Sequence, residues 1–333
     1  MRVLETSIEI DAPAQTVWAI LDELVRYPEW NPMLPDLAGR TTVGSSVATS
    51  FVRPNTPTMK IVPKITRIVA ARELRWLTQA PDPNAFSAEH IFRIEPKATG
   101  GVTFHNDEIF RGTLVEERWP ALNTNTRAAF VDVNQRLRAR AEEFANATVP
   151  IHPVVDFAPE GTEQGLVGAI LSCRCDDPIQ IRLTEDIAHN HLCGCSQCWK
   201  PAGAKLAQTA IVANECLEVV RGAERLEVVD GKQKVLRYAC AGCAVHMFGR
   251  TDDPDHHFYG ISFVHPELAR DRFAPKPEFA GFLSSLIESG TSPTLMHAVR
   301  QGLANKGIPA YDAFSPEVMD VIARHRVKLL SAT

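Results

Sequence analysis

Cys173-Arg-Cys175, Cys193-Gly-Cys195-Ser-Gln-Cys198 and Cys240-Ala-Gly-Cys243 hold seven of the eight cysteines in a chain of 333 residues. Structural cysteines scattered through a core do not cluster in this way. In an extended segment residues i and i+2 point to one side, so Cys173 and Cys175 form a pincer. A Cys-x-x-Cys turn does the same for Cys240 and Cys243. Zinc takes four thiolates in a closed structural site, and three plus an open position in a catalytic one. Seven ligands divide naturally as four plus three. The central cluster, Cys193, Cys195 and Cys198, is the natural open site, and the outer pincers then close the structural one. Spacing alone leaves other pairings open. Disulfides are the competing reading. They are disfavoured because Cys-x-Cys pairs rarely bridge and because the chain reads as cytosolic.

The length favours two domains over one. An apolar fraction of 45% and a net charge of −5 are those of an ordinary soluble globular protein. There is no basic excess of the kind that nucleic acid demands. The opening Met1-Arg-Val-Leu-Glu-Thr-Ser-Ile-Glu-Ile lacks an apolar core of signal-peptide length, so a cytoplasmic location is expected. The longest suggestive apolar run, 165–171, is far too short to span a membrane.

Along the first part of the chain, Val3, Thr6, Ile8 and Ile10 alternate with polar neighbours as in a strand. Asp11-Ala-Pro13 then opens a helix, with Asp11 as its expected cap and Val17, Trp18, Ile20, Leu21 and Leu24 as its apolar face. Tyr27-Pro-Glu-Trp30-Asn-Pro32 breaks that helix. Strands are expected at about 46–53, 58–70, 72–78, 86–95 and 101–110, and a long helix over 119–147. These elements form an α+β plan in which a curled sheet holds one long helix. Trp18, Trp30, Phe92, Phe104 and Trp119 are candidates to line a pocket between them.

Residues 1–147 resemble the SRPBCC superfamily, also called START-like or polyketide cyclase-like. The resemblance rests on Ile10-Asp-Ala-Pro13, Val17-Trp18 and Tyr27-Pro-Glu-Trp30-Asn-Pro32. It implies a helix-grip fold and an apolar ligand of unspecified identity. A proline-rich stretch, 148–159, reads as a linker.

Beyond it, residues 160–333 read as a second domain. Strands are expected on either side of the first pincer and at 207–213, 217–220, 225–229 and 234–239, with helices at 278–289, 292–306 and 315–330. This region resembles the glutathione-dependent formaldehyde-activating family, whose activity is S-(hydroxymethyl)glutathione synthase. The resemblance spans about residues 150–330. It rests on His152-Pro-Val-Val-Asp156, on Ala188-His-Asn-His-Leu-Cys-Gly-Cys-Ser-Gln-Cys-Trp-Lys-Pro201, on Tyr238-Ala-Cys-Ala-Gly-Cys-Ala-Val-His-Met-Phe-Gly249, and on later segments through Pro316. It implies a mainly antiparallel zinc-binding β-tent with a helical tail. It also implies a structural zinc on Cys173, Cys175, Cys240 and Cys243, and a catalytic zinc on Cys193, Cys195 and Cys198. The partners it implies are glutathione and formaldehyde.

Glutathione carries two carboxylates and needs cations. Lys200, directly after the central cluster, is the first candidate, with Arg182, Lys205 and Arg237 behind it. His189 and His191 bracket the approach to Cys193 and can orient a ligand by hydrogen bonding. A competing reading makes the second domain a glutathione carrier or a zinc-stabilised binding module, with the first domain holding an apolar ligand.

Overall fold

The computed structural model describes residues 1–156, 165–272 and 274–331. The chain forms two compact units. One comprises Met1–Ala147 together with Ser292–Ala298, and the other Thr148–Thr291 together with the chain from Val299 onward. Among the described residues no helix is long and apolar enough to cross a membrane.

The first unit is built on an antiparallel sheet. Strands β1 (Arg2–Leu4) and β2 (Ser7–Ile10) both pair with β8 (Val102–Arg111), and the order continues through β7 (Ser87–Pro96) and β6 (Glu73–Gln79) to β5 (Lys64–Val69). A separate hairpin joins β3 (Thr49–Arg53) to β4 (Thr56–Ile61). The expected strand over 58–70 is split at Pro63, which has no N–H to give a ladder. Along β8 every second side chain is buried, so Val102, Phe104, Asn106, Glu108 and Phe110 share the core face. Helix α3 (Arg127–Ala145) closes that face with Phe130, Val133, Leu137 and Ala141.

Two expectations for this unit need correction. Asp11 does not cap helix α1 (Ala14–Asp22): the extended Pro13 stands at the cap, and its carbonyl accepts from Thr16 and Val17. Asp11 instead donates its backbone N–H to Glu142. The long helix also begins earlier than expected and is not continuous. Helix α2 (Val115–Ala121) contains Pro120, and a π-turn at Leu122–Thr126 joins it to α3. Proline removes one helical donor, and a wider turn is one way to absorb that loss.

In the second unit the described part of the proline-rich stretch is anchored. A single turn, α4 (Pro153–Asp156), folds so that the Asp156 carboxylate accepts the N–H groups of Ile151 and His152, and Ile151 and His152 are buried. Residues 157–159 lie outside the described residues. A three-stranded sheet runs β13 (Leu217–Arg221), β10 (Gln180–Leu183), β9 (Ile170–Ser172). A seven-stranded sheet runs β14 (Leu226–Val228), β15 (Leu236–Cys240), β16 (His246–Arg250), β17 (Ile261–Val264), β12 (Ala207–Ala213), β11 (His189–Cys193), β18 (Phe279–Gly281). Every pairing is antiparallel except β11 with β18.

That exception overturns the helix expected at 278–289. Phe279, Ala280 and Gly281 are all buried and extend the sheet, and only Ser285–Glu288 forms a helical turn, α5. An apolar run this short has no decisive periodicity, so the open edge of β11 decided its conformation. Helices α6 (Met296–Asn305) and α7 (Pro316–Ser331) complete the chain.

Candidate functional site

The four outer cysteines arrive from different sheets. Cys173 and Cys175 follow β9 of the small sheet, while Cys240 ends β15 of the large one and Cys243 lies in the turn to β16. Their sulfurs all lie within 4.8 Å of one another, and the Cys175 and Cys240 sulfurs are 3.7 Å apart. Zn–S bonds of about 2.3 Å at tetrahedral angles put thiolates ~3.8 Å apart, so the group fits such an ion. The backbone is shaped around the sulfurs. The N–H of Ile179 points at Cys173 Sγ at 3.1 Å. A Cβ at Gly242 would stand 3.1 Å from Cys175 Sγ. Ala244 adopts a left-handed φ of 57° to close the turn, a conformation that costs a residue with a side chain roughly 1 kcal/mol or more.

Cys193, Cys195 and Cys198 form a second group, local in sequence, with sulfurs also within 4.8 Å of one another. The Cys195–Cys198 and Cys198–Cys193 separations are 3.2 and 3.6 Å. A hydrogen bond with Cys193 holds the Cys195 thiol well below its ordinary pKa, and the same contact pushes Cys193 up. The sulfurs are crowded, which is an electrostatic setting that a cation relieves. Each cysteine group can hold a metal ion. Cys216, outside both groups, is buried.

The three-cysteine group borders a cavity of about 330 Å³, within the size of small-molecule sites. Register explains how the sheet builds it. Arg237 lies opposite Gly249, Gly249 opposite Phe263, and His191 opposite Thr209. Period-two alternation then carries His191 and Cys193 on β11, and Phe263 and His265 at the end of β17, to the cavity. Phe282, held at a left-handed φ of 56°, and Phe314 supply apolar wall. Gly194 is required at its place, because a Cβ there would stand 2.3 Å from the Phe282 carbonyl oxygen.

Burial, reinforced by the charge of His189, lowers the His191 pKa to about 3. Burial likewise lowers His246 to about 4 and pulls His265 down. All three border the cavity as neutral imidazoles at pH 7. His191 lies nearly parallel to Phe279, with ring centroids 5.1 Å apart. His191 Nδ1 and Thr209 Oγ1 are buried with no hydrogen-bond partner, and such groups in a cavity await a ligand or water. His189 turns to Glu278, its Nδ1 2.9 Å from the carboxylate.

Lys200 does not border this cavity. Its ammonium donates to the carbonyl oxygens of Cys195 at 2.7 Å and Cys198 at 3.5 Å, stapling the cysteine loop. Among the described residues that border the cavity, Arg237 is the cation. Arg182 pairs with Glu218 on the small sheet. His246 and His265, for which the sequence suggested no role, also border it. Their signal was present as alternation with Phe248 and Phe263 at the ends of strands.

In the first unit a cavity of about 560 Å³ opens on the core face of β7 and β8. None of Trp18, Trp30, Phe92, Phe104 and Trp119 lines it. Phe92 and Phe104 are consumed by the core and Trp30 packs against Tyr27. The lining aromatics are Phe51, Trp76, Phe86 and Phe110.

Comparison with known proteins accords with both resemblances. Residues 1–142 match the family described as polyketide cyclase / dehydrase and lipid transport. Residues 169–282 match the family described as glutathione-dependent formaldehyde-activating enzyme. Among solved structures, the ZhuI aromatase/cyclase from Streptomyces sp. R1128 is similar at 14% identity and a TM-score of 0.38, over 44% of this chain and 96% of that one. The di-domain aromatase/cyclase StfQ of the steffimycin biosynthetic pathway is similar at 14% identity and a TM-score of 0.36, over 44% of this chain and 52% of that one. Norcoclaurine synthase from Thalictrum flavum is similar at 15% identity and a TM-score of 0.34, over 41% of this chain and 92% of that one.

Proposed function

We propose that the second unit is a carbon–sulfur lyase of the S-(hydroxymethyl)glutathione synthase type, serving formaldehyde detoxification in the cytoplasm. It joins the glutathione thiol to formaldehyde and splits the product in reverse. The S–C bond forms as the carbonyl π bond breaks, and the thiol proton ends on the oxygen. The observation that carries this reading is a three-cysteine group at the wall of a small cavity that also holds a cation and neutral imidazoles.

Cys193, Cys195 and Cys198 would hold the catalytic zinc, and Cys173, Cys175, Cys240 and Cys243 the structural one. A zinc ion held by three thiolates with one position open supplies a binding point that favours the thiolate form of an incoming thiol. The chain's own residues do the rest. Arg237 meets a glutathione carboxylate. The walls formed by Phe248, Phe258, Phe263 and Phe314 exclude water. His191, His246 and His265 accept or donate hydrogen bonds without adding charge. Lys200 keeps the cysteine loop in place and is not assigned to the substrate.

The addition proceeds unaided in water, so rate is the deciding quantity. Exchange spectroscopy on mixed formaldehyde and glutathione should show exchange that speeds in proportion to added protein, and Cys195→Ser should abolish that increment. A protein that lowers free glutathione without accelerating exchange is a carrier, and the reading fails. Metal analysis should find two zinc ions per chain. A chelator should remove one well before the other, since a closed four-thiolate site resists extraction better than an open one. A count of one or none overturns the assignment. Finally, Arg237→Leu should weaken glutathione binding by roughly ten- to a hundredfold, the worth of a hydrogen bond between charged groups. Unchanged affinity by calorimetry removes Arg237 from the site.

A further inference from the structure

The second unit holds a buried acid that the reaction outlined above does not use. Glu267 belongs to the short helical turn Pro266–Leu268, close after β17. Its side chain is 10% exposed, and both carboxylate oxygens are buried with no hydrogen-bond partner. Two imidazoles approach it. His152 Nε2 stands 3.5 Å from Oε1 and His265 Nδ1 3.9 Å from the same oxygen. These separations are too long for good hydrogen bonds but within the reach of an ion pair. An acid left unsatisfied in this way is costly, and its place in the fold asks for a reason.

The backbone fixes the hydrogens on both rings. His152 Nδ1 accepts from the Val154 N–H at 3.2 Å, so its hydrogen sits on Nε2, the nitrogen that approaches Glu267. His265 Nδ1 lies 2.8 Å from the Gln208 carbonyl oxygen, which can only accept, so Nδ1 is the donor. That leaves Nε2 as the acceptor on a ring that borders the cavity with Cys193, Cys195 and Cys198. Burial is the largest influence on His265 and disfavours its charged form. Glu267 and the Gln208 carbonyl favour that form, while His152 and Arg237 oppose it. No carboxylate helps His246, where burial, His265 and Arg237 all oppose protonation. On β11 the Glu278 carboxylate is taken by His189, not by His191. Of the three imidazoles at the cavity, His265 is the one with an acid placed to receive its charge.

We propose that His265 is the proton carrier of the thiol–aldehyde addition, and that Glu267, steadied by the N–H of His152, is the positioning residue that stabilises its imidazolium. This rests on the lyase reading above and assigns His265 a step beyond hydrogen bonding. As the S–C bond forms, Nε2 takes the thiol proton. As the carbonyl π electrons pass to oxygen, Nε2 delivers that proton there, and the ring ends neutral. While charged, the ring faces Glu267 in a buried setting, where opposite charges attract more strongly than in water. The carboxylate that lacks partners in the resting site gains one when the proton is in transit.

The test compares the full-length parent with Glu267→Gln, which keeps the size and removes the charge, and with His265→Gln. Formaldehyde–glutathione exchange is followed from pH 5 to 8, with melts and zinc content on every variant. At pH 7 Glu267→Gln should lower the protein-dependent exchange at least tenfold, with glutathione affinity by calorimetry within twofold of the parent. His265→Gln should cost about a hundredfold, the ordinary worth of a positioned acid–base group. The double variant should be no worse than His265→Gln, because Glu267 acts only through that ring. The base must be neutral to accept, so activity falls as pH drops through the His265 pKa. Loss of the counter-charge lowers that pKa, so Glu267→Gln should move the acid limb down by about one pH unit. Nitrogen NMR of labelled histidine reads the same ring without turnover. It should show the hydrogen on Nδ1 in the parent, and a lower titration midpoint in Glu267→Gln. Exchange and acid limb unchanged in Glu267→Gln, a His265 that titrates alike in both proteins, or a hydrogen on Nε2 in the parent would each overturn the proposal. A parent that accelerates exchange beside an unaffected Glu267→Gln sinks this proposal alone. A parent that accelerates nothing sinks the lyase reading, and the proton carrier with it.

Discussion

Cys240→Ser should unfold the second unit, while Cys195→Ser should leave it folded and inactive. The difference follows from where the ligands come from. Cys173 and Cys175 extend from the three-stranded sheet and Cys240 and Cys243 from the seven-stranded one, so an ion among them is a clamp between sheets. Metal-binding free energy at such a site is folding free energy, with apparent values on the order of 10–16 kcal/mol for structural zinc at pH 7, comparable with the whole stability of a domain at about 5–15 kcal/mol. Losing one of four thiolates removes a large part of it. Cys193, Cys195 and Cys198 span six residues and close almost no chain, so their ion constrains little entropy. Their loop also has supports of its own: Lys200 bonds its carbonyls, and the Gly194 N–H donates to Gly281 at 2.9 Å. Thermal melts, zinc content and exchange rates on both variants form the comparison. If Cys195→Ser unfolds the unit while Cys240→Ser stays folded and active, the structural and catalytic roles are reversed.

Gly194→Ala should destabilise the second unit and impair its activity, although it adds only a methyl group. The new Cβ would stand 2.3 Å from the Phe282 carbonyl oxygen and 3.0 Å from its carbon. Both obstacles are backbone, so no side-chain rotation relieves them. Strands β11 and β18 must separate where they flank Cys193. A loss of about 3 kcal/mol or more is expected, at or above the upper end of ordinary overpacking. A displacement of about 1 Å at Cys193 and Phe282 can lower turnover about a hundredfold. Gly231→Ala is the control, since nothing lies within 4 Å of its Cβ and its backbone is not left-handed. That variant should stay within about 0.5 kcal/mol of the parent. Equal behaviour of the two variants would show that β18 yields freely and that this approach does not shape the site.

The two candidate metal-binding groups of the second unit were legible from the chain because their cysteines are marked locally. Cys-x-Cys, Cys-x-x-Cys and the central trio announce metal-binding thiols at short range, and the strand pattern around them is largely the one observed. Short spacing also placed His189 and His191 at the approach to Cys193. Other features depended on long-range geometry. The opposition of Cys175 and Cys240 joins residues 65 apart in sequence. Phe279–Gly281 became a strand because β11 offered an unpaired edge, and a three-residue apolar run has no propensity strong enough to refuse it. Arg237, named behind Lys200, borders the cavity in its stead because carbonyls within the cysteine loop captured the lysine, while pairing with Gly249 turned the arginine's face of β15 toward the cavity. Residue types and short spacings thus determined which groups are candidates to hold a metal. Only strand register and close packing decided which of them share a cavity, because that depends on partners far away in the chain.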